Sequence, residues 1–308
     1  MVISLFYTKN LQADNGKVGE KMLKKEYLNA NSTIEELLTY PSIKEFSKFI
    51  LPLEFGYNPN SKLKDIDYLL PYHNNINTKT TLNSINYIID KSEKGEKIFY
   101  KIYTDEEIKL DKSKENTGIF FFKGNKNAPF AVINAGGGFS YVGSIHEGFP
   151  YAIELNKRGY NAFVLQYRVR DGYKATQDLA RAVSYIMDNK NIFEVDVNNY
   201  SLWGSSAGAR MVAAIGSKGL ASFGEKDFIA NPKVVENRFN EMKKANLKVE
   251  FHKYKNVGHG FGLGIGTSAE NWIDSAIKFW GKYKEVTNNK KIINYDIFNR
   301  RYSNGSRL

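Results

Sequence analysis

The chain contains no cysteine in its 308 residues. Disulfides, a cysteine nucleophile and thiolate metal sites are therefore all excluded, while the redox compartment stays open. Histidine is nearly as scarce, at four, and no two lie at metal-ligand spacing. A zinc site is not expected, and nothing calls for a cofactor. No run approaches the roughly 18 consecutive apolar residues that a membrane span requires. The apolar patch within Met1 to Lys9 is too short for a signal-peptide core. As it stands the chain reads as cytoplasmic, or as secreted if a leader is missing.

What is present is an ordinary globular composition, 42 % hydrophobic and 25 % charged, with a formal net charge of +11. The lysines are scattered among Asn, Ile and Tyr, which fits a solvated surface better than a nucleic-acid footprint. Residues 285–308, with Lys290-Lys291 and Arg300-Arg301, form a basic C-terminal extension. Nucleic-acid binding through that tail is a rival reading, weighed against by the general lysine usage.

Residues 1–95 are polar and helix-leaning, with a capped helix start at Ser32-Thr33-Ile34-Glu35-Glu36 and prolines at 41, 52 and 59. They carry no catalytic constellation. The pattern changes in residues 96–284. Short apolar runs at 97–103, 118–122, 129–133 and 161–165 read as strands, buried ones where the run is continuous. Amphipathic stretches at 149–158 and 175–189 lie between them, the second with Leu179, Val183, Ile186 and Met187 at helical spacing. This alternation predicts a parallel sheet with helices on both faces.

Four pieces of chemistry sit on that frame. Gly204-Ser205-Ser206-Ala207-Gly208 follows the strand Tyr200 to Trp203 and precedes an apolar helix. In a strand–turn–helix context the glycines permit a sharp turn that presents Ser206 at its tip. The helix N-terminus behind it favours developing negative charge. Gly136-Gly137-Gly138 follows the strand ending at Ile133 and can turn amides toward a carbonyl oxygen. No Gly-Lys-Ser/Thr ending follows to make it a phosphate loop. His259, within Gly258-His259-Gly260-Phe261-Gly262, stands where the chain order nucleophile, acid, histidine places a general base. Asp227 lies between the two and is the expected acid, with Glu225 and Glu236 as alternatives. His252 reads as structural, His146 as a pocket-lining candidate, and His73 has no assigned role.

The sequence resembles the α/β-hydrolase-fold esterases of the BD-FAE, acetyl-xylan and feruloyl esterase type. The resemblance runs from about Ile98 to Trp280 and is carried by the segments 136–143, 146–150, 159–168, 204–208 and 259–262. It implies Ser206 as nucleophile, His259 as base and Asp227 as acid. The amides of Gly137, Gly138 and Ala207 would form the oxyanion hole, and His146 and Glu147 would bind substrate. Asp178 and Arg181 match a structural helix position. The implied activity is carboxylic-ester hydrolysis on small acyl esters, including acetylated carbohydrate, with no membrane or nucleic-acid partner. A prolyl-oligopeptidase-like peptidase and a catalytically impaired binding protein are the alternatives.

One departure stands out. Only 21 positions separate Ser206 from Asp227. At about 1.5 Å per helical and 3.3 Å per strand residue, they hold the nucleophile helix and one short strand. A strand-helix unit is expected to be missing before Gly224. The sheet would then close up, a neighbouring carboxylate would substitute, or the triad would come apart.

Overall fold

The computed structural model describes residues 2–7, 26–215, 219–245 and 247–282. The basic extension expected at 285–308 lies outside the described residues. After β1 (Val2–Tyr7) come α1 (Ile34–Leu38) and α2 (Thr78–Glu93). From β2 (Phe99–Tyr100) onward helices and strands alternate: α3 (Asp105–Leu110), β3 (Gly118–Phe122), β4 (Pro129–Asn134), α4 (Ser144–Glu147) and α5 (Phe149–Lys157). Then follow β5 (Asn161–Gln166), α6 (Gly172–Asp188), α7 (Lys190–Phe193), β6 (Asp196–Ser205) and α8 (Ala207–Ile215). The last are β7 (Gly219–Gly224), α9 (Pro232–Lys244), β8 (Val249–Tyr254) and α10 (Trp272–Lys282).

Eight strands form one sheet in the order β2-β3-β5-β4-β6-β1-β7-β8. β4 runs parallel to both β5 and β6, and β7 parallel to β8. β3 is antiparallel to β2 and β5, and β1 antiparallel to β6 and β7. Six strands therefore share one direction, and β1 and β3 oppose it. This is the mostly parallel sheet with helices on both faces that the sequence implies.

Period-2 alternation builds a core on each face. Phe120, Phe122, Ala131, Ile133, Val164 and Trp203 point to one side, where α2, α5 and α10 bring Ile85, Ile89, Phe149, Trp272 and Trp280. Ile119, Phe121, Val132, Phe163, Leu165 and Leu202 point to the other, against Leu179, Val183 and Ile186 of α6 and Met211 and Val212 of α8. The N-terminal region joins the first core through Ile34, Leu37, Ile43, Ile50, Leu63 and Ile66. At α1, Thr33 accepts from the Glu36 N–H and the Glu36 carboxylate accepts from the Thr33 N–H, the reciprocal cap legible in the sequence.

Two expectations need correction. The strand read over 97–103 shrinks to Phe99–Tyr100, because β2 pairs on one side only, with β3, at the edge of the sheet. The N-terminal region is not wholly helical: Val2–Tyr7 is a strand at the heart of the sheet. It occupies the place of the missing unit. α8 ends at Ile215 and β7 begins at Gly219, so among the described residues α8 is the crossover's helix. The crossover passes over one strand position, and β1 lies in it with Val2 opposite Ser205 on β6 and Ser222 on β7. The sheet does not close up; a strand from elsewhere in the chain completes both ladders.

Candidate active site

β6 delivers the nucleophile candidate. Its last residue is Ser205, α8 starts at Ala207, and Ser206 between them has φ +47. A non-glycine residue in the left-handed region costs on the order of 1–3 kcal/mol, which the surrounding packing must hold. The flanking glycines are required by close approach. A Cβ at Gly204 would stand 2.4 Å from the Gly208 carbonyl oxygen, and one at Gly208 would stand 2.0 Å from that of Asn134. Strand and helix thus pack backbone to backbone and push Ser206 to the tip.

The histidine loop after β8 brings His259 to it. His259 Nε2 lies 2.9 Å from Ser206 Oγ, and Nδ1 lies 2.9 and 2.8 Å from the two Asp227 carboxylate oxygens. The short interval after Ser206 does not keep these groups apart. Asp227 is on the turn after β7, where the Lys226 N–H donates to the Val257 carbonyl at 2.8 Å and draws the acid turn against the histidine loop. Asp227 and His259 are both buried. The Asp227 Oδ1 also accepts from the N–H groups of Ile229 at 3.0 Å and Ala230 at 2.7 Å. Burial works to raise the Asp227 pKa, but the hydrogen bond from His259 and the one from the Ala230 amide hold the carboxyl below the usual range. Of the alternative acids, Glu225 accepts from the Asn256 N–H instead, at 3.2 Å, and Glu236 lies on α9. His252, on β8, has Nε2 3.5 Å from Glu250 Oε2.

The glycine loop lies alongside. A Cβ on Gly136 would stand 3.0 Å from the Ser206 Cβ. Gly137 has φ +136 and Gly138 φ +64, conformations open to glycine. The Gly137 carbonyl accepts from the N–H groups of Ser140 and Tyr141, which turns the loop back on itself. Among the described residues, no loop hydrogen bond uses the N–H of Gly137 or Gly138. Ala207 is the first residue of α8, the end of a helix where amides lack intrahelical acceptors.

His146 and Glu147 do not line an open pocket. Both are buried on α4 beneath the glycine loop. His146 Nε2 donates to the Gly260 carbonyl at 3.0 Å, and Glu147 Oε2 accepts from the Gly136 N–H at 3.0 Å. Burial, with the neighbouring His73, pushes the His146 pKa down to about 4. Burial opposes ionisation of Glu147, yet His73 and His146 beside it keep its carboxyl well below the usual range. His73, unassigned from sequence, belongs to this cluster: its Nε2 lies 3.0 Å from Glu147 Oε2 and its Nδ1 2.8 Å from the Tyr141 hydroxyl. No motif surrounds it, so only the fold reveals it. Asp178 and Arg181 serve the scaffold. Asp178 is paired with Arg168 and accepts from the Tyr103 hydroxyl, and Arg181 Nε donates to the Ile102 carbonyl.

Among the described residues no group of three or more His, Asp or Glu side chains could hold a metal ion. No helix among them is long and apolar enough to cross a membrane.

Part of the chain is similar to known proteins. Residues 119–257 match the family model BD-FAE. Over 99 residues the chain is 27 % identical to an acetylxylan esterase of Xylanibacter ruminicola, a match covering 32 % of this chain and 21 % of that protein. Among solved structures it resembles the propionate-bound esterase Est2 of Thermogutta terrifontis at 14 % identity and a TM-score of 0.47, over 56 % of this chain and 92 % of the other. It also resembles MGS-M1, an alpha/beta hydrolase enzyme from a Medee basin deep-sea metagenome library, at 20 % identity and a TM-score of 0.47, over 54 % and 92 %. The likeness to the BD-FAE family model covers the segment that runs from β3 past Ser206 and Asp227 to the foot of the histidine loop, somewhat less than half of the chain, and the match to the acetylxylan esterase spans about a fifth of that protein's length.

Proposed function

We propose that this chain is a serine carboxylic-ester hydrolase acting on small acyl esters through an acyl-enzyme. The observation that carries the reading is the continuous hydrogen-bonded line Asp227–His259–Ser206, ending on a serine held at positive φ. Ser206 Oγ attacks the ester carbonyl carbon while His259 Nε2 takes its proton. Asp227 fixes the histidine tautomer and stabilises the imidazolium. The carbonyl oxygen, now negative, is met by the amides of Gly137 or Gly138 and of Ala207. Collapse breaks the bond to the alcohol, which leaves with the proton from His259. Water then adds to the acyl carbon with His259 again as base, releasing the acid and restoring Ser206. The name of the relative from Xylanibacter ruminicola directs the substrate proposal to acetyl groups on carbohydrate. No metal or cofactor enters any step.

The test is hydrolysis of p-nitrophenyl acetate by the wild type and by Ser206→Ala. Wild-type turnover with a fall of about 10⁶ in kcat in the variant is expected. Equal hydrolysis by the two proteins would sink the reading.

A further inference from the structure

Both loops that this chemistry depends on are rich in glycine: 136–138 on one side, and 258, 260, 262 and 264 on the other. Glycine gives such loops the left-handed turns they need but leaves them conformationally loose. A catalytic constellation tolerates little looseness, since a misplacement of about 1 Å can cost a factor of about 10² in rate. Something must hold the two loops relative to each other.

The segment Tyr72-His73-Asn74, far from either loop in sequence, touches both. On the glycine-loop side, the Tyr72 N–H donates to the Tyr141 hydroxyl at 3.1 Å. His73 Nδ1 meets the same hydroxyl, and its Nε2 meets the Glu147 oxygen that accepts from the Gly136 N–H. On the histidine-loop side, the Asn74 side-chain amide donates to the carbonyl of His259 itself at 2.6 Å. The Asn74 backbone N–H donates to the Gly260 carbonyl at 3.0 Å. The glycines leave room for the segment. A Cβ at Gly143 would stand 2.7 Å from His73 Cε1, and a Cβ at Gly260 would stand 3.0 Å from His73 Cα.

We propose that His73 and Asn74 are positioning residues for ester hydrolysis, a strap from the N-terminal region that keeps the oxyanion loop and the His259 loop in register. The inference rests on the serine-hydrolase reading above. It gives the N-terminal region a part in the reaction although none of its side chains belongs to the triad. The two ends of the strap differ in cost. His73 and Glu147 are a buried pair, and breaking one is strongly destabilising. Asn74 is exposed, so its side chain can be cut back with little loss of packing.

The experiment uses the full chain, with p-nitrophenyl acetate kinetics and thermal melting for the wild type, Asn74→Ala, His73→Gln and His73→Ala. Asn74→Ala is expected to lower kcat about tenfold, with KM within about twofold and an unchanged melting midpoint. His73→Gln keeps an amide donor for Glu147 and is expected to retain more kcat than His73→Ala at matched stability. Wild-type kcat in Asn74→Ala, or equal losses in the two His73 variants that only follow their melting points, would overturn the strap. A wild type that neither turns over the ester nor reacts at Ser206 with a fluorophosphonate would overturn the hydrolase reading beneath it.

Discussion

The two halves of the sheet hold the proposed triad residues by different means. On one side, β3, β5, β4 and most of β6 are buried along their length and covered by helices on both faces. This half carries Ser206 and the glycine loop. On the other side, β7 and β8 carry Asp227 and His259. Their outer face rests on a small cluster of Ala221, Phe239 and Val249, and β8 is mostly half-buried. Among the described residues only β1 joins the halves within the sheet, paired along β6 and along β7. The seam lies between the proposed nucleophile Ser206 and its proposed base His259. The difference shows that the vacancy left by a missing strand-helix unit need not collapse the sheet. What the ladder requires is a backbone in that position, and a strand distant in sequence can supply it, in the opposite direction, since antiparallel pairing satisfies the same donors and acceptors.

Removal of β1 is expected to have the largest effect. Deleting residues 1–7 leaves the facing edges of β6 and β7 without a partner. Ester hydrolysis is expected to vanish while much helical circular dichroism survives, because only the β7–β8 half loses its anchor. Full activity in the truncated chain would show that β1 does not tie the halves together. Next in size is the link across the seam. Asp227→Asn keeps the shape but loses the charge that holds the His259 tautomer, and kcat is expected to fall by about 10⁴ with an unchanged fold. A fall of less than about tenfold would assign the acid role to another carboxylate.

Core truncations sharpen the contrast in stability. Phe163→Ala, in the deep core against Phe121, Phe130 and Phe193, is expected to cost about 3–5 kcal/mol by denaturant unfolding. Phe239→Ala, in the small cluster, is expected to cost no more than the low end of that range, about 3 kcal/mol. The reverse order would contradict the assignment of the thinner half. The smallest effect is one of pH. His146 is neutral when folded, with its pKa lowered to about 4 against about 6.5 when unfolded. Below pH 6.5 the unfolded chain binds a proton that the folded chain refuses, so stability drops as pH falls through that window. The expected loss is on the order of 1 kcal/mol between pH 7 and 5.5, and His146→Gln should flatten it. An equally steep decline in the variant would place the titration elsewhere.

What was legible in the sequence was what local patterns encode. Ser206 could be placed because strand, glycine turn and helix follow one another within a dozen residues. His259 and Asp227 followed from their loops and chain order. The interval of 21 positions disclosed the missing unit, since residue rise alone limits what it can hold. What replaced that unit was not legible. Val2–Tyr7 pairs with strands some 200 positions away, and nothing local marks a six-residue apolar run as the filler of a distant gap. His73 was hidden for the same reason, its partners Tyr141 and Glu147 lying about 70 residues on. His146 and Glu147, expected to bind substrate, lie buried on α4 instead. Proximity in a motif does not say which face a side chain takes, and α4 turns both inward.

Ser206, His259 and Asp227 are proposed to work as one unit across the seam. The most direct test is reaction of the folded wild-type chain with a fluorophosphonate, followed by mass analysis of the intact protein and its peptides. One adduct is expected, on the peptide carrying Ser206, formed with loss of fluoride and slowed by orders of magnitude in Asp227→Asn. Absence of an adduct in a sample that melts cooperatively, or an adduct on any other residue, would contradict the proposal.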